Sequence, residues 1–399
     1  MTGPGRARAL SVALLAHSTN PRGGVVHALE LAEALTARGH RAVVHAPDPG
    51  GRGFFRPTRC ATVGVPARPV GSGGGGGGGL AALVEARIAD YLAFFDRGDG
   101  LRYDIHHAQD GISGNALASL RERGRIAGYV YTVHHLDAFA DPAVAARQQR
   151  AIAGADRVFC VSRLWQDILA RDHGIPAVLV GNGVDHARFT PAPGPEDAAL
   201  RARLGLGDGN GPVFLSVGGV EARKNSVRLL EAFLAVRRTL PDARLVIAGG
   251  ASLLDHSAEA AAFDALLAGS GAGGNAGGAV IRCGPLPDAA MPALFRLADA
   301  LVFPSLREGF GLVVLEAMAC GTPTVVSRIA PFTEHLGDAD CLWVDPRDPA
   351  AIAAAMVAAV RPGPAAALRA AGLRRAAGFG WDACAARHLD AYDAWMSVR

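Results

Sequence analysis

The sequence of 399 residues predicts an α/β fold: two parallel-sheet domains facing each other across a cleft. Short apolar runs alternate with helix-patterned segments along nearly the whole chain, the order that builds parallel strands through helical crossovers. The alternation falls into two blocks, parted by Thr190-Pro191-Ala192-Pro193-Gly194-Pro195. The stretch Ala298–Gly321 then reads as strand, loop and helix in succession, an arrangement that in open α/β sheets ends in a ligand site.

In the first block, Leu10–Ala16 reads as a core strand. Gly24–Arg38 reads as a helix, with Val25, Val26, Leu29, Ala32 and Leu35 at helical spacing and Gly39 as its stop. Strands follow at Arg41–Ala46, Ala61–Val65, Asp104–Ala108, Gly128–His134, Arg157–Val161 and Ala177–Val180. Helices are predicted at Leu80–Asp96, Ser113–Arg123 and Pro142–Ala153, and from Arg163 onward. The run Gly73–Gly79 contains GxGxxG, but it follows Pro and Ser rather than a strand. It reads as a surface loop and not a dinucleotide fingerprint.

In the second block the glycine-rich stretch 205–211 reads as a connector. Strands are predicted at Val213–Val217, Arg244–Ala248, Val280–Cys283, Ala300–Phe303, Thr322–Val326 and Cys341–Val344. Helices are predicted at Ser226–Thr239, Leu253–Leu267, Asp288–Leu297, Gly311–Ala319, Pro349–Val360 and Pro364–Ala376, with a Gly/Ala-rich loop at 269–279. A last helix starts near Trp381. The domains are accordingly 1–188 and 189–381.

Half of the chain is hydrophobic and 19% is charged, which excludes a disordered protein. A net charge of +3 gives no reason to expect nucleic acid as a partner and allows at most peripheral contact with an anionic membrane. The six cysteines, at 60, 160, 283, 320, 341 and 384, form no CxxC or Cys/His cluster in the sequence. The expectation is buried free thiols in a reduced, cytoplasmic chain with no metal site. Arg6 and Arg8 precede the apolar run Ala9–Ala16, but His17-Ser18-Thr19-Asn20 follows it in place of a small-residue cleavage site, so the run is read as a strand and not a signal peptide. No run reaches the length of a membrane span.

The candidate chemistry gathers where strands hand over to helices. In Ser305-Leu306-Arg307-Glu308-Gly309-Phe310-Gly311, a carboxylate and the amides of Phe310, Gly311 and Leu312 stand at a helix N-terminus, and Glu316 lies on that helix eight positions after Glu308. Helix amides can take a pyrophosphate, one carboxylate (Glu316) both hydroxyls of a ribose, and the other (Glu308) hydroxyls of a departing sugar. The plainer reading of Glu308 is a surface loop residue. Gly218-Gly219-Val220-Glu221-Ala222-Arg223-Lys224-Asn225 sets two adjacent cations in a strand-to-helix loop, suited to a leaving pyrophosphate; a solvated basic loop is the plainer reading. Asn20-Pro21-Arg22-Gly23-Gly24 places two glycines before a helix, a tight turn or a phosphate approach. Tyr131-Thr132-Val133-His134-His135 ends a strand in paired histidines, which in isolation are more often rim residues than catalysts.

These motifs together resemble the retaining glycosyltransferase family 4, group 1, with its E-x7-E signature and GT-B fold. Glu308 and Glu316 match that signature, Gly23 and Gly24 its GG loop, His134 its T-x-H, and Lys224 with Arg223 its cation motif in an R-K-N variant. Many relatives carry the arginine where this chain has Gly219. His106-His107-Ala108-Gln109-Asp110 resembles H-A-H-D, with Gln109 where the second histidine stands. Blocks at Ala155–Ser162, Asn182–Asp185 with Arg188-Phe189, Ala298-Asp299 and Phe379-Gly380-Trp381 fall in the same order, so the resemblance covers nearly the whole chain.

The resemblance implies two Rossmann-like domains, with a C-terminal helix at about 382–399 packing back on the first. The activity it implies is retaining transfer of a hexose-type sugar from a UDP-, GDP- or ADP-sugar to a small-molecule, glycan or lipid acceptor. No cofactor or metal is expected. His134, Lys224, Arg223 and Glu308 would be catalytic and Gly23, Gly24, Phe310, Gly311, Leu312 and Glu316 would bind donor. Thr19, Asn20, Arg22, Gln109 and Asp110 would line the acceptor side. A sugar phosphorylase, a sugar-nucleotide epimerase or a non-catalytic nucleotide-sugar binder could reuse the same fold. An NAD-dependent oxidoreductase would need GxGxxG after the first strand, where this chain has none.

Overall fold

The computed structural model of the protein describes residues 8–70, 77–97, 102–207, 211–250, 256–272 and 278–398. The chain divides into two units, Met1–Asn182 with Trp381–Arg399, and Gly183–Gly380. Residues 183–188 therefore belong to the second unit.

The first unit alternates β1 (Ser11–Leu15), α1 (Gly23–Ala37), β2 (Arg41–Asp48), β3 (Ala61–Pro66), α2 (Gly77–Asp96), β4 (Ile105–Ala108), α3 (Gly111–Glu122), β5 (Val130–Val133), α4 (Pro142–Ala153), β6 (Arg157–Cys160), α5 (Arg163–His173) and β7 (Ala177–Leu179). Its strands are all parallel, in the order β3-β2-β1-β4-β5-β6-β7. Parallel strands are covered on both faces, which is why β1 reads as a nearly unbroken apolar run and why every residue of β4 and β5 is buried, the two histidines of β4 included. Val12, Leu14, Val25, Leu29, Val44, Ile105 and Phe159 form the core. The C-terminal helix Trp381–Met396 adds Ala385, Tyr392 and Trp395 to it. β1 lies between β2 and β4, so the order of construction reverses there, and the loops after β1 and β4 open at the switch point.

The second unit contains α6 (Glu196–Arg203), β8 (Val213–Val217), α7 (Ser226–Val236), β9 (Arg244–Ala248), α8 (Ser257–Ser270), β10 (Val280–Gly284), α9 (Met291–Leu297), β11 (Ala300–Phe303), α10 (Leu312–Ala319), β12 (Thr324–Ser327), α11 (Phe332–His335), β13 (Leu342–Val344), α12 (Pro349–Ala359) and α13 (Pro362–Ala377). The parallel order is β10-β9-β8-β11-β12-β13, and the switch point falls between β8 and β11. Phe214, Leu230, Phe233, Ile247, Val302, Val325, Ile352 and Met356 fill its core.

The pattern of apolar residues hid some elements. α6 buries only Leu200, so no periodicity announces it. Its signals are charges, Glu196 and Asp197 at the start and Arg201 and Arg203 at the end, complementing the helix dipole. The strand before His134 runs Val130–Val133, so the histidine is the first residue past it. The expected start of the helix at 253–255 lies outside the described residues, as do 73–76 of the glycine run, 208–210 of the connector and 273–277 of the Gly/Ala-rich loop. Among the described residues no single helix is long and apolar enough to cross a membrane. All six cysteines are free thiols, and burial pushes Cys60 up to about 11 and Cys320, Cys341 and Cys384 up to about 12.

Buried imidazoles make both units sensitive to acid. Burial lowers His27 and His45 in the first unit and His335 in the second, each to about 4 from 6.5. The unfolded chain therefore binds more protons than the native state between pH 6.5 and 4. The stabilisation, roughly 3 kcal/mol for each such group, is complete above the unfolded value and is lost as pH falls through the folded one. The melting temperature is expected to drop by about 10 °C between pH 7 and pH 5. A flat profile over that interval, measured by calorimetry, would contradict the neutral buried imidazoles.

Candidate active site

In the second unit, the loops after β8 and β11 are tied together before any ligand arrives. Leu306 N–H donates to the Arg223 carbonyl at 2.9 Å. Asn225, held left-handed at φ 61°, donates its amide to the carbonyls of Pro304 at 3.1 Å and Pro346 at 2.5 Å. Gly218 closes β8 at φ 132°, and a Cβ there would stand 3.0 Å from Lys224 Cε. The glycine thus makes room for the lysine stem to lie over the end of its own strand.

On this frame Glu308 Oε1 accepts from Lys224 Nζ at 2.7 Å and from Arg223 Nη1 at 2.9 Å. The Glu308 side chain is only 9% exposed and that of Lys224 13%. Lys224 Nζ also sits 4.2 Å from the centre of the Phe303 ring. Burial by itself would raise the Glu308 carboxyl. Lys224 and Arg223, with hydrogen bonds from Lys224 and Ser305, outweigh it and hold the group below the usual carboxylate range. Burial draws Lys224 below an ordinary lysine even though Glu308 opposes the shift. Glu221, which sequence reasoning passed over, is buried 3.6 Å from Arg223 Nη2 and 3.8 Å from His256 Nε2. Its only signal was an acidic residue inside a basic loop.

α10 begins next to this cluster in sequence. Gly311 precedes it at φ 91°, no side chain caps it, and no acidic residue lies in its first turn. Its N-terminal amides are therefore available to an anion. Phe310 is buried and stacks on His335 with ring centres 4.7 Å apart. Leu312 opens the helix, and Glu316 is part-buried in its second turn. The arrangement pairs two fixed cations and a helix N-terminus with an ionised carboxylate. That set can bind a diphosphate and orient a polyhydroxylated group beside it.

In the first unit, the structure brings Gly24, Gln109 and His134 together. A Cβ on Gly24 would lie 3.2 Å from His134 Cδ2 and 3.6 Å from the Gln109 carbonyl, whereas one on Gly23 would meet nothing within 4 Å. His134 Nε2 donates to Gln109 Oε1 at 2.9 Å. Burial, then the neighbouring His27 and His135, lower His134 well below an ordinary imidazole, so it is neutral at pH 7. Gln109 Nε2 is buried without a hydrogen-bond partner. Asp110 has one oxygen committed to the capping box of α3, accepting from Ser113 N–H at 2.9 Å, and the other 3.7 Å from His17 Nδ1. Thr19 is buried with its carbonyl bonded to Phe55 N–H, Asn20 is exposed, and Arg22 is the residue before an α1 that lacks a side-chain cap.

A family model described as glycosyl transferases group 1 matches residues 197–366, and one described as glycosyltransferase family 4 matches residues 21–188. D-inositol 3-phosphate glycosyltransferase of Xylanimonas cellulosilytica is 32% identical over 311 residues, 73% of this chain and 72% of that protein. D-inositol 3-phosphate glycosyltransferase 1 of Catenulispora acidiphila is 33% identical over 350 residues, 82% and 81% of the two chains. Among solved structures, sucrose-phosphate synthase from Thermosynechococcus elongatus superposes with a TM-score of 0.77 at 23% identity, covering 98% of this chain and 100% of that one. Anabaena HepE, in complex with UDP and glucose, gives 0.73 at 18% identity, covering 96% and 99%.

Proposed function

The chain belongs to the group 1 glycosyltransferases of family 4 and has the GT-B fold, and from that premise we propose that it transfers a hexose from a nucleoside diphosphate-sugar to an acceptor hydroxyl, with retention at the anomeric carbon and without a metal ion. The observation that carries this reading is the contact of Arg223 and Lys224 with Glu308 at the switch point of the second sheet.

When the bond between the anomeric carbon and the diphosphate oxygen breaks, negative charge grows on that oxygen and positive charge on the sugar ring. Lys224, Arg223 and the amides of Phe310, Gly311 and Leu312 meet the first charge from fixed positions, so little reorganisation is needed as it develops. Glu308, kept ionised, accepts from sugar hydroxyls, and Glu316 accepts from the ribose. The neutral His134 positions the donor sugar with Glu308, and Gln109 beside it, with an amide N–H₂ left unbonded, serves the acceptor side together with Thr19, Asn20, Arg22 and Asp110. Bound UDP and glucose in the HepE structure make UDP-glucose the first donor to try. Inositol 3-phosphate, which gives the curated relatives their name, is the first acceptor.

The test is a melting-temperature screen with UDP, GDP, ADP and their glucose conjugates in the presence of a chelator. A nucleotide at a hundredfold excess over its dissociation constant stabilises by about 2.7 kcal/mol. One base is expected to stand out, and its sugar conjugate to give a product with unchanged anomeric configuration by NMR. No response to any nucleoside diphosphate, or an inverted product, would overturn the reading.

A further inference from the structure

The C-terminal helix places Cys384 and His388 one turn apart, and the structure sets His27 of α1 beside them. Each of the three offers a ligand atom within 4.8 Å of the other two, and all three residues are fully buried. The imidazoles are already oriented. His27 Nδ1 bonds Asn182 Oδ1 at 2.6 Å, and His388 Nδ1 bonds the Cys384 carbonyl at 2.9 Å. An amide or peptide oxygen only accepts, so each Nδ1 carries the proton and each Nε2 presents a lone pair.

Both Nε2 atoms are buried and make no hydrogen bond. An unsatisfied buried polar atom costs stability. The Cys384 thiol beside them donates to the Gly181 carbonyl at 3.5 Å and lies 3.6 Å from His388 Nδ1, so it is held in the same cluster. His107, in the same aromatic group, shows the alternative: both of its nitrogens are occupied, by Tyr392 at 2.6 Å and Thr132 at 2.7 Å. An imidazole whose Nδ1–H is fixed on a carbonyl oxygen, leaving Nε2 free, is the arrangement that orients metal-bound histidines.

We propose that His27, Cys384 and His388 form a structural site for a borderline-to-soft transition-metal ion of the Zn(II) class, fastening the C-terminal helix to α1. Two imidazoles and a thiolate suit such an ion and not Mg(II) or Ca(II). Bond lengths of about 2.0–2.3 Å to a tetrahedral ion place ligand atoms roughly 3.3–3.6 Å apart. Small side-chain rotations from the present spacing reach that. As the sulfur–metal bond forms, the Cys384 thiol releases its proton to solvent.

The experiment uses the full chain, stripped with a chelator and titrated with Zn(II), Co(II) or Mg(II). Zn(II) is expected to bind once per chain and, at a hundredfold excess over its dissociation constant, to raise the melting temperature by about 5–10 °C. Mg(II) should leave it unchanged. Co(II) should give a thiolate charge-transfer band in the near ultraviolet. Cys384→Ser should lose the band and His27→Gln the thermal shift, both with far-ultraviolet circular dichroism unchanged. Should either variant fail to fold, the Co(II) spectrum of the unaltered chain still decides. Absence of the band and of the Zn(II) shift in that chain overturns the site, and so does a shift that survives both substitutions.

Discussion

Lys224→Ala is expected to lower kcat for sugar transfer by about 10²–10³, the loss that follows removal of one group stabilising charge in a transition state. The lysine is one of two cations on Glu308, and its ammonium is fixed by the Glu308 carboxylate at 2.7 Å and the Phe303 ring. Removing it leaves a carboxylate that is nearly enclosed, with Arg223 as the remaining cation of the pair and Ser305 as a neutral hydrogen-bond donor. Burial, which pushes the Glu308 carboxyl up, then meets less opposition, and its pKa rises. Breaking one partner out of a buried pair costs about 3–5 kcal/mol, so the variant should also melt earlier. The double variant Lys224→Ala/Glu308→Gln should recover part of that stability and none of the activity. Steady-state kinetics beside denaturant unfolding separates the two effects. A Lys224→Ala enzyme with lowered stability and undiminished kcat would make the cluster a structural ion pair.

Gly311→Ala should be the most damaging single-atom addition in the second unit. At φ 91° an alanine is strained by about 1–2 kcal/mol before any contact is counted. Its Cβ would also lie 2.2 Å from Phe332 Cε1, and Phe332 is fully buried against Phe303. Relief requires moving the ring or the first turn of α10, and that turn carries the amides assigned to the diphosphate. The expected result is a loss of about 3 kcal/mol or more in unfolding free energy and loss of the nucleotide-dependent melting shift. Gly23→Ala is the contrast, since a Cβ there meets nothing and no left-handed backbone is involved. It should leave stability unchanged or slightly higher. A Gly311→Ala protein as stable as the parent would mean that α10 starts differently.

Strand positions were legible because parallel strands must be apolar along their whole length. Val12–Ala16 and Leu301–Phe303 could hardly be anything else. The glycines and charges at the strand ends were legible too, since a βα loop leaves few other places for them. What periodicity does not encode is which distant side chains meet. Glu308 read equally well as a surface residue, and only the sheet order β8-β11 puts it against Lys224, so its burial was invisible. Glu221 was hidden for the same reason. Cys384 and His388 stood four positions apart on a predicted helix, yet their third partner lies in α1, at the opposite end of the chain. α6 escaped because its identity rests on charge placement and not on a buried face.

The C-terminal helix also sets an order of events during synthesis. The second unit is one continuous segment from Gly183 to Gly380, so every residue of its core has been translated before the last helix is. The first unit is begun earlier but waits for Ala385, Tyr392 and Trp395, which sit in its core against residues of β1 and α1. Until they arrive, the core that α1 builds on β1 lacks part of its apolar cover, and a nascent chain in that state is open to aggregation. Loss of the final 19 residues, Trp381–Arg399, would therefore strike the domain farthest from them in sequence and spare the one they directly follow.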